Sequence, residues 1–267
     1  MTDAVRFAVR SGLFFQVGML ARRSVVRTLR QPAMVVPSIV FPLMLLAINS
    51  SGLDSTTQIP GFPTNSYFEF ALAIAFVQGA LFSANSAGTN VASDIESGFL
   101  NRLSLTPLRR VALMMGQLSG ILALGLIQAL TFLGVGVLFG AGIEAGIGGA
   151  AVIVLLSLTI SLAFGCIGAL VALRSGTGEA VQGVFPLFFA ALFLSSMALP
   201  RNLIEIGWFK TVATYNPVSY MLEGIRSLVI TGWDAEALAL GFACAGGLAL
   251  VALAAANSAL RTRMVRT

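Results

Sequence analysis

An all-α protein set in a lipid bilayer, with six transmembrane helices, is the fold class that this chain predicts, on three observations. The 267 residues are 57% hydrophobic and only 10% charged, and the mean hydropathy is +0.91. Soluble domains carry about 25% charged residues, so the deficit lies in charge, as expected of a chain dissolved in lipid. Six apolar windows approach the roughly 20 residues that a helix needs to cross a ~30 Å hydrocarbon core. Finally, the basic residues and the aromatic anchors fall on opposite sides of those windows.

The elements follow in order. Within residues 1–32, the segment 11–30 reads as an amphipathic helix. Leu13, Phe14, Val17, Leu20, Ala21 and Val25 share one arc, and Arg22, Arg23, Arg27 and Arg30 the other. Such a helix is expected to lie along the inner membrane surface with its arginines among headgroups, and the Gln31-Pro32 pair ends it. The spans are placed at about 33–49, 67–92, 118–139, 149–173, 180–199 and 235–256, with 257–267 as a tail. The first carries Pro37 and Pro42, tolerable where neighbouring helices re-satisfy the freed carbonyls. Between spans five and six, two short helices are expected in the outer leaflet. One covers 203–212; the other starts at Asn216-Pro217, an N-cap followed by proline at the first helical position, and stops at Gly232.

Charge orients the bundle. Thirteen of the sixteen Lys and Arg residues lie before span one, between spans two and three, between four and five, or after six. By the positive-inside rule both termini face the cytoplasm. Trp208, Trp233, Tyr67, Tyr215 and Tyr220, the chain's entire complement of Trp and Tyr, all fall on the outer side, where amphipathic rings favour the headgroup layer. The arginine-heavy basic set and the abundant Ala and Gly suggest a GC-rich bacterial genome, and with the apolar spans the expected location is a bacterial inner membrane.

These facts exclude several functions. The pI near 10 reflects topology and anionic-lipid contact, so no nucleic-acid partner is expected. With no His, and with Cys166 and Cys244 inside separate spans, no metal site is expected and the thiols read as packing residues. A P-loop needs Gly-Lys-Ser/Thr, and the sole lysine, Lys210, follows Phe209; this chain has no route of that kind to ATP and no catalytic residues. An ion-coupled carrier needs a titratable group near the midplane. Glu69 and Glu179 sit only at span edges.

Neutral polar residues remain inside the spans. Gln78, Asn85 and Thr89 fall near one face of span two, and Gln128 lies in span three. They line a translocation path or make interhelical hydrogen bonds. Small residues at Gly116/Gly120, Gly136/Gly140 and Ser157/Ser161/Gly165 read as close-packing seams. The segment after span two is a charged island. Asp94 and Glu96 are expected to precede a short helix, favourable at its positive end. Phe99, Leu100, Leu103 and Thr106 form an apolar ridge with Arg102 among them, and Pro107 ends the stretch. The island is either a solvated loop or a helix whose exposed ridge fits a groove on a soluble partner.

Two motifs give these features a family. Asp94 or Glu96, Gly98, Leu100, Arg102, Leu103, Thr106 and Pro107 match the loop Glu-x-x-x-Gly-Thr-Leu-x-x-Leu-x-x-Thr-Pro, with Phe99 in place of the usual Thr. Asn216, Pro217, Tyr220 and Arg226 match a second landmark before the last span. On these motifs and the topology, the chain resembles the ABC type-2 exporter permeases, which include daunorubicin-resistance and Nod-factor export membrane subunits. The resemblance implies a permease without enzymatic activity, paired as a homodimer or heterodimer. ATP and Mg would be bound by a separate ATP-binding subunit, and this chain would hold no cofactor. It also implies that the loop at Asp94–Leu108 is a coupling helix seated on that subunit, touched too by the N-terminal helix. The expected cargo is a hydrophobic or amphipathic molecule, with polysaccharide or glycolipid export, a membrane scaffold and a secondary carrier as alternatives. Glu223 and Arg226, three apart, are expected to pair and shape an outer gate with Asn216, Pro217 and Tyr220, or to form a plain surface pair.

Overall fold

Every regular element is helical in the computed structural model, which describes residues 12–104 and 110–265. The helices are α1 (Leu13–Leu29), α2 (Pro32–Gly52), α3 (Tyr67–Glu96), α4 (Phe99–Ser104), α5 (Arg110–Leu138), α6 (Gly146–Ser175), α7 (Gly178–Phe193), α8 (Gly207–Tyr215), α9 (Pro217–Arg226) and α10 (Ala235–Val265). Five of them, α2, α3, α5, α6 and α10, are long and apolar enough to cross a membrane.

The element expected at 180–199 is shorter than that. Helix α7 has 16 residues, about 24 Å at ~1.5 Å per residue. It ends where its following carbonyls are claimed by another element: Ser196 and Met197 accept from Arg226. The Ser196 backbone N–H in turn donates to the Ser219 hydroxyl oxygen at 3.0 Å.

Helix α3 is the axis of the bundle, packed by α2, α5, α6, α7 and α9. Its closest neighbour is α6, and small residues permit the approach. A Cβ at Gly168 would collide with the Ala84 carbonyl, and one at Gly88 would lie 2.5 Å from Val181 Cγ1 and 2.8 Å from the Gly168 oxygen. The expected seams are seen at Gly116 and Gly120 against α1, at Gly136 against Leu72, and at Gly165 against Ile121. Gly140 packs on nothing; its φ of 88° turns the chain after α5.

Helix α1 departs from the expectation of a helix lying free on the membrane surface. A Cβ at Gly116 would sit 2.7 Å from Leu20 Cβ, and Gly120 abuts Ser24. The matched four-residue spacing means that α1 runs alongside the start of α5. The two glycines leave a groove that α1 fills, so Gln16 and Thr28 are buried while Phe14 is 91% exposed.

The acidic pair of the island also sits elsewhere than expected. No breaker interrupts the chain before Gly98, so α3 continues to Glu96, and Asp94 and Glu96 lie on its last turn instead of preceding α4. Gly98, at φ 67°, then turns the chain, a left-handed stop that glycine adopts at least cost.

Candidate functional site

A carboxylate on the last turn of a helix faces the negative end of the dipole, so Asp94 needs compensation, and α1 supplies it. Arg23 Nη2 donates to Asp94 Oδ1 at 2.8 Å and Nη1 to Oδ2 at 3.2 Å, while Arg27 Nη1 donates to Oδ1 at 2.5 Å. Spaced four apart, the two arginines project from one face of α1. The Arg23 guanidinium also lies 3.8 Å over the Phe99 ring of α4. One side chain therefore joins α1 to both the end of α3 and the short helix after it. Arg22 and Arg30 stay exposed, as expected of α1's polar face.

The apolar ridge of α4 is turned inward. Leu100 is 6% exposed and packs with Val91, Met114 and Ala169; Phe99 and Leu103 are half-buried. A small cavity of about 50 Å³ lies among α1, α3, α4 and α5, bordered by Arg27, Asp94, Leu100 and Leu103. An exposed ridge was the expectation, and burial against the bundle's own apolar surface overrides it. What faces outward is polar: Glu96, Ser97 and Arg102, the last donating from Nη2 to the Ser97 carbonyl at 3.3 Å. Glu96 Oε1 accepts from the Gly178 backbone N–H at 3.2 Å and so serves the N-terminus of α7, where a carboxylate is favoured. Thr106 and Pro107 lie outside the described residues.

Among the interior polar residues, Gln128 is 2% exposed and ties three helices together. Its Oε1 accepts from the Ser83 hydroxyl at 3.1 Å, and its Nε2 donates to the Ser38 carbonyl at 3.4 Å. The geometry at this position is that of an interhelical strut. Gln78 is 1% exposed, inside the bundle of a single chain. Asn85 and Thr89 are half-buried; the Thr89 hydroxyl donates to the Asn85 carbonyl within α3 at 2.8 Å and lies 3.6 Å from Met34 Sδ of α2. The buried amide oxygens of Gln78 and Asn85 have no hydrogen-bond partner among the described residues.

At the opposite end, α9 forms as its sequence dictates. The Asn216 Oδ1 accepts from the Val218 N–H at 2.9 Å, its Nδ2 donates to the Ala191 carbonyl at 2.6 Å, and Pro217 takes the first helical position. The helix continues into a wider turn at Ser227–Thr231 and stops at Gly232, φ 92°. The expected Glu223–Arg226 pair does not form. Glu223 instead takes a two-pronged bond from Arg201, whose Nε reaches Oε1 at 2.7 Å. Arg201 also lies 4.4 Å over the ring of Tyr220, whose hydroxyl donates to the Thr214 carbonyl at 2.9 Å. The two-pronged bond is the favourable geometry for a guanidinium and a carboxylate, and the guanidinium of Arg226 is held elsewhere, by three backbone carbonyls.

Arg226 turns the other way, into the bundle, at 6% exposure. It donates to three carbonyls: Phe70 from Nε at 3.1 Å, Ser196 from Nη1 and Met197 from Nη2, both at 2.6 Å. Its guanidinium stacks 3.6 Å over the Phe70 ring, a contact that strengthens when desolvated. Burial pulls its pKa down to about 9, opposed by attraction to Glu223 and Tyr67, so it remains cationic at neutral pH. It is a strut joining α9, α3 and the end of α7.

Sequence reasoning missed Arg201, for which only an isolated cation after Pro200 gave a signal. It also missed an aromatic cluster of Phe41, Phe82, Phe185 and Phe189, with ring centroids 5.2–6.3 Å apart, joining α2, α3 and α7. The recurrence of Phe185, Phe189 and Phe193 at four-residue intervals was the available signal.

Comparison with known proteins places these features in context. A family model described as "ABC-2 type transporter" matches residues 15–230. The chain is also similar to proteins named "Probable doxorubicin resistance ABC transporter permease protein DrrC" from Mycobacterium tuberculosis, strains CDC 1551 / Oshkosh and ATCC 25618 / H37Rv. Each is 26% identical over 217 residues, covering 79% of this chain and 75% of the relative.

Proposed function

The chain belongs to the ABC-2 type transporter family as an exporter permease subunit, and from that premise we propose that it carries a hydrophobic or amphipathic molecule outward, driven by a separate ATP-binding subunit. The observation that carries the reading is the Asp94 assembly. Two arginines of α1 grip the last turn of α3, and one of them, Arg23, stacks on α4, so a push on α4 is transmitted to α1 and to the central helix together. In this reading α4 is the coupling helix. The ATP-binding subunit contacts it at Arg102, contacts the preceding turn at Glu96 and Ser97, and meets α1 and its C-terminal end at Arg22 and Arg30. Leu100 and Phe99 anchor the helix to the membrane domain.

The rest of the architecture follows from the same proposal. Residues 33–256 form the transmembrane domain of a homodimeric or heterodimeric permease in a bacterial inner membrane, with both termini cytoplasmic. Asn216, Pro217, Tyr220 and Glu223, with Arg201 now in place of Arg226 as the pairing cation, shape the outer gate. Asn85 and Thr89 are the better candidates for a path lining, since Gln78 and Gln128 are enclosed within one chain. The half-buried Phe41, Phe82, Phe185 and Phe189 offer a lipophilic surface, and the relative named for doxorubicin resistance points to a drug-like cargo.

Co-reconstitution with a cognate ATP-binding subunit tests the proposal. In proteoliposomes holding both, doxorubicin is expected to move across the membrane only with ATP, and to stop with vanadate. Movement that ignores ATP, together with ATP hydrolysis indifferent to this chain, would refute the reading.

A further inference from the structure

A cavity of about 510 Å³ opens at the end of the bundle remote from Asp94, between α8, α9 and the start of α10. That volume is in the range of small-molecule sites. Three cations line it, Arg201, Lys210 and Arg226, against two acids, Glu223 and Asp234.

The acids are already engaged. Glu223 is taken by Arg201. Asp234 Oδ1 accepts the backbone N–H groups of Glu236 at 3.0 Å and Ala237 at 3.1 Å, capping α10, where the helix dipole offsets its charge. Two positive charges are left facing the cavity. Among the described residues neither Lys210 nor Arg226 has a carboxylate within 4.0 Å. Arg226 carries five N–H groups, and three of its bonds go to neutral carbonyls, which orient the guanidinium without neutralising it. The walls beside these cations are of mixed polarity, with Phe70 and Ile230 apolar and Asn202 able to donate hydrogen bonds.

We propose that this cavity binds the oxyanion headgroup of an amphipath, with Arg226 and Lys210 as its counter-charges and the half-buried Ile230 against its apolar part. A buried cation held in place by carbonyls is preorganised for an anion and unfavourable for a second cation. The oxyanion can be borne by a membrane phospholipid or by a soluble phosphate species; the chemistry of recognition is the same. Occupancy by either does not require the ATP-binding subunit.

Native mass spectrometry of the full chain in neutral detergent tests the site, with phosphatidylglycerol and phosphatidylcholine as probes. Phosphatidylglycerol is expected to bind at least about tenfold more tightly. Lys210→Glu and Arg201→Gln, the latter releasing the Glu223 carboxylate into the cavity, should each reduce that preference about tenfold. Asp234→Asn keeps an N-cap while removing a negative charge, and should increase it. Arg261→Gln, at the other end of the bundle, controls for general attraction of anionic lipid. Displacement of the lipid by millimolar inorganic phosphate assigns the site to soluble oxyanions, and resistance to it assigns the site to lipid. Equal binding of the two lipids, or a preference unmoved by both Lys210→Glu and Asp234→Asn, overturns the proposal without touching the exporter reading.

Discussion

Replacing Asp94 with Asn removes one negative charge and leaves two guanidinium groups facing a neutral amide. Asp94 is 11% exposed in its side chain, Arg27 23% and Arg23 40%. Stripping one partner from a fully buried pair costs about 3–5 kcal/mol, and an exposed pair is worth about 0.2–1 kcal/mol. Arg27 lies between these limits, so its coupling to Asp94 should be about 1–2 kcal/mol. The more exposed Arg23 is screened by solvent and should couple by less than about 1 kcal/mol, although its stacking on Phe99 persists in the variant. A double-mutant cycle of Asp94→Asn with Arg27→Gln isolates the pair. Thermal unfolding in detergent, read by a thiol-reactive dye reaching buried Cys166, supplies the stabilities. At roughly 2–4 °C per kcal/mol, Asp94→Asn should lower the midpoint by about 2–12 °C, and Arg27→Gln should cost little more in that background. A coupling below about 0.3 kcal/mol would refute the claim that this cluster holds α1 to α3.

Arg226→Gln should be among the most damaging single changes at the remote end. It abandons carbonyls of Phe70, Ser196 and Met197, and an unsatisfied buried group costs about 1–3 kcal/mol. Arg226→Lys should recover only part of the loss, because a point-charge ammonium cannot span carbonyls met by a planar fork; full recovery would contradict the strut. At the centre, Gly168→Ala drives a methyl into the Ala84 carbonyl and should cost at least about 1–3 kcal/mol, whereas Gly246→Ala meets open space and should leave the melting midpoint within about 2 °C.

Local patterns survived into the structure wherever local physics decides them. Pro32, Asn216-Pro217 and Gly232 set helix ends by backbone geometry alone, and they stand where the sequence placed them. The seam at Gly116/Gly120 was equally readable, because a pair of glycines four apart makes a groove whatever fills it. Which helix fills it, α1, was not readable from a pattern that also describes a helix lying on a membrane surface. The same limit separated Glu223 from its true partner. Arg226 sits three residues away along one helix and Arg201 twenty-two away along the chain, so only the fold brings the latter across. The ridge of α4 failed for a related reason: apolar spacing marks a buried face without saying whether the burying surface belongs to the chain or to a partner. Asp94 was singled out by its isolation in an apolar chain, and its role became specific only when Arg23 and Arg27 were found against it.

Site-directed cross-linking to the ATP-binding subunit asks whether that subunit sits against α4. Single photo-cross-linking residues placed at Ser97, Arg102, Leu100 and Asn202 sample the exposed turn before α4, the outward side of α4, its buried side and the remote end of the bundle. Adducts with the ATP-binding subunit are expected from Ser97 and Arg102, and from neither Leu100 nor Asn202. Adducts from Asn202, or none from Ser97 and Arg102 in a complex that still hydrolyses ATP, would contradict the account.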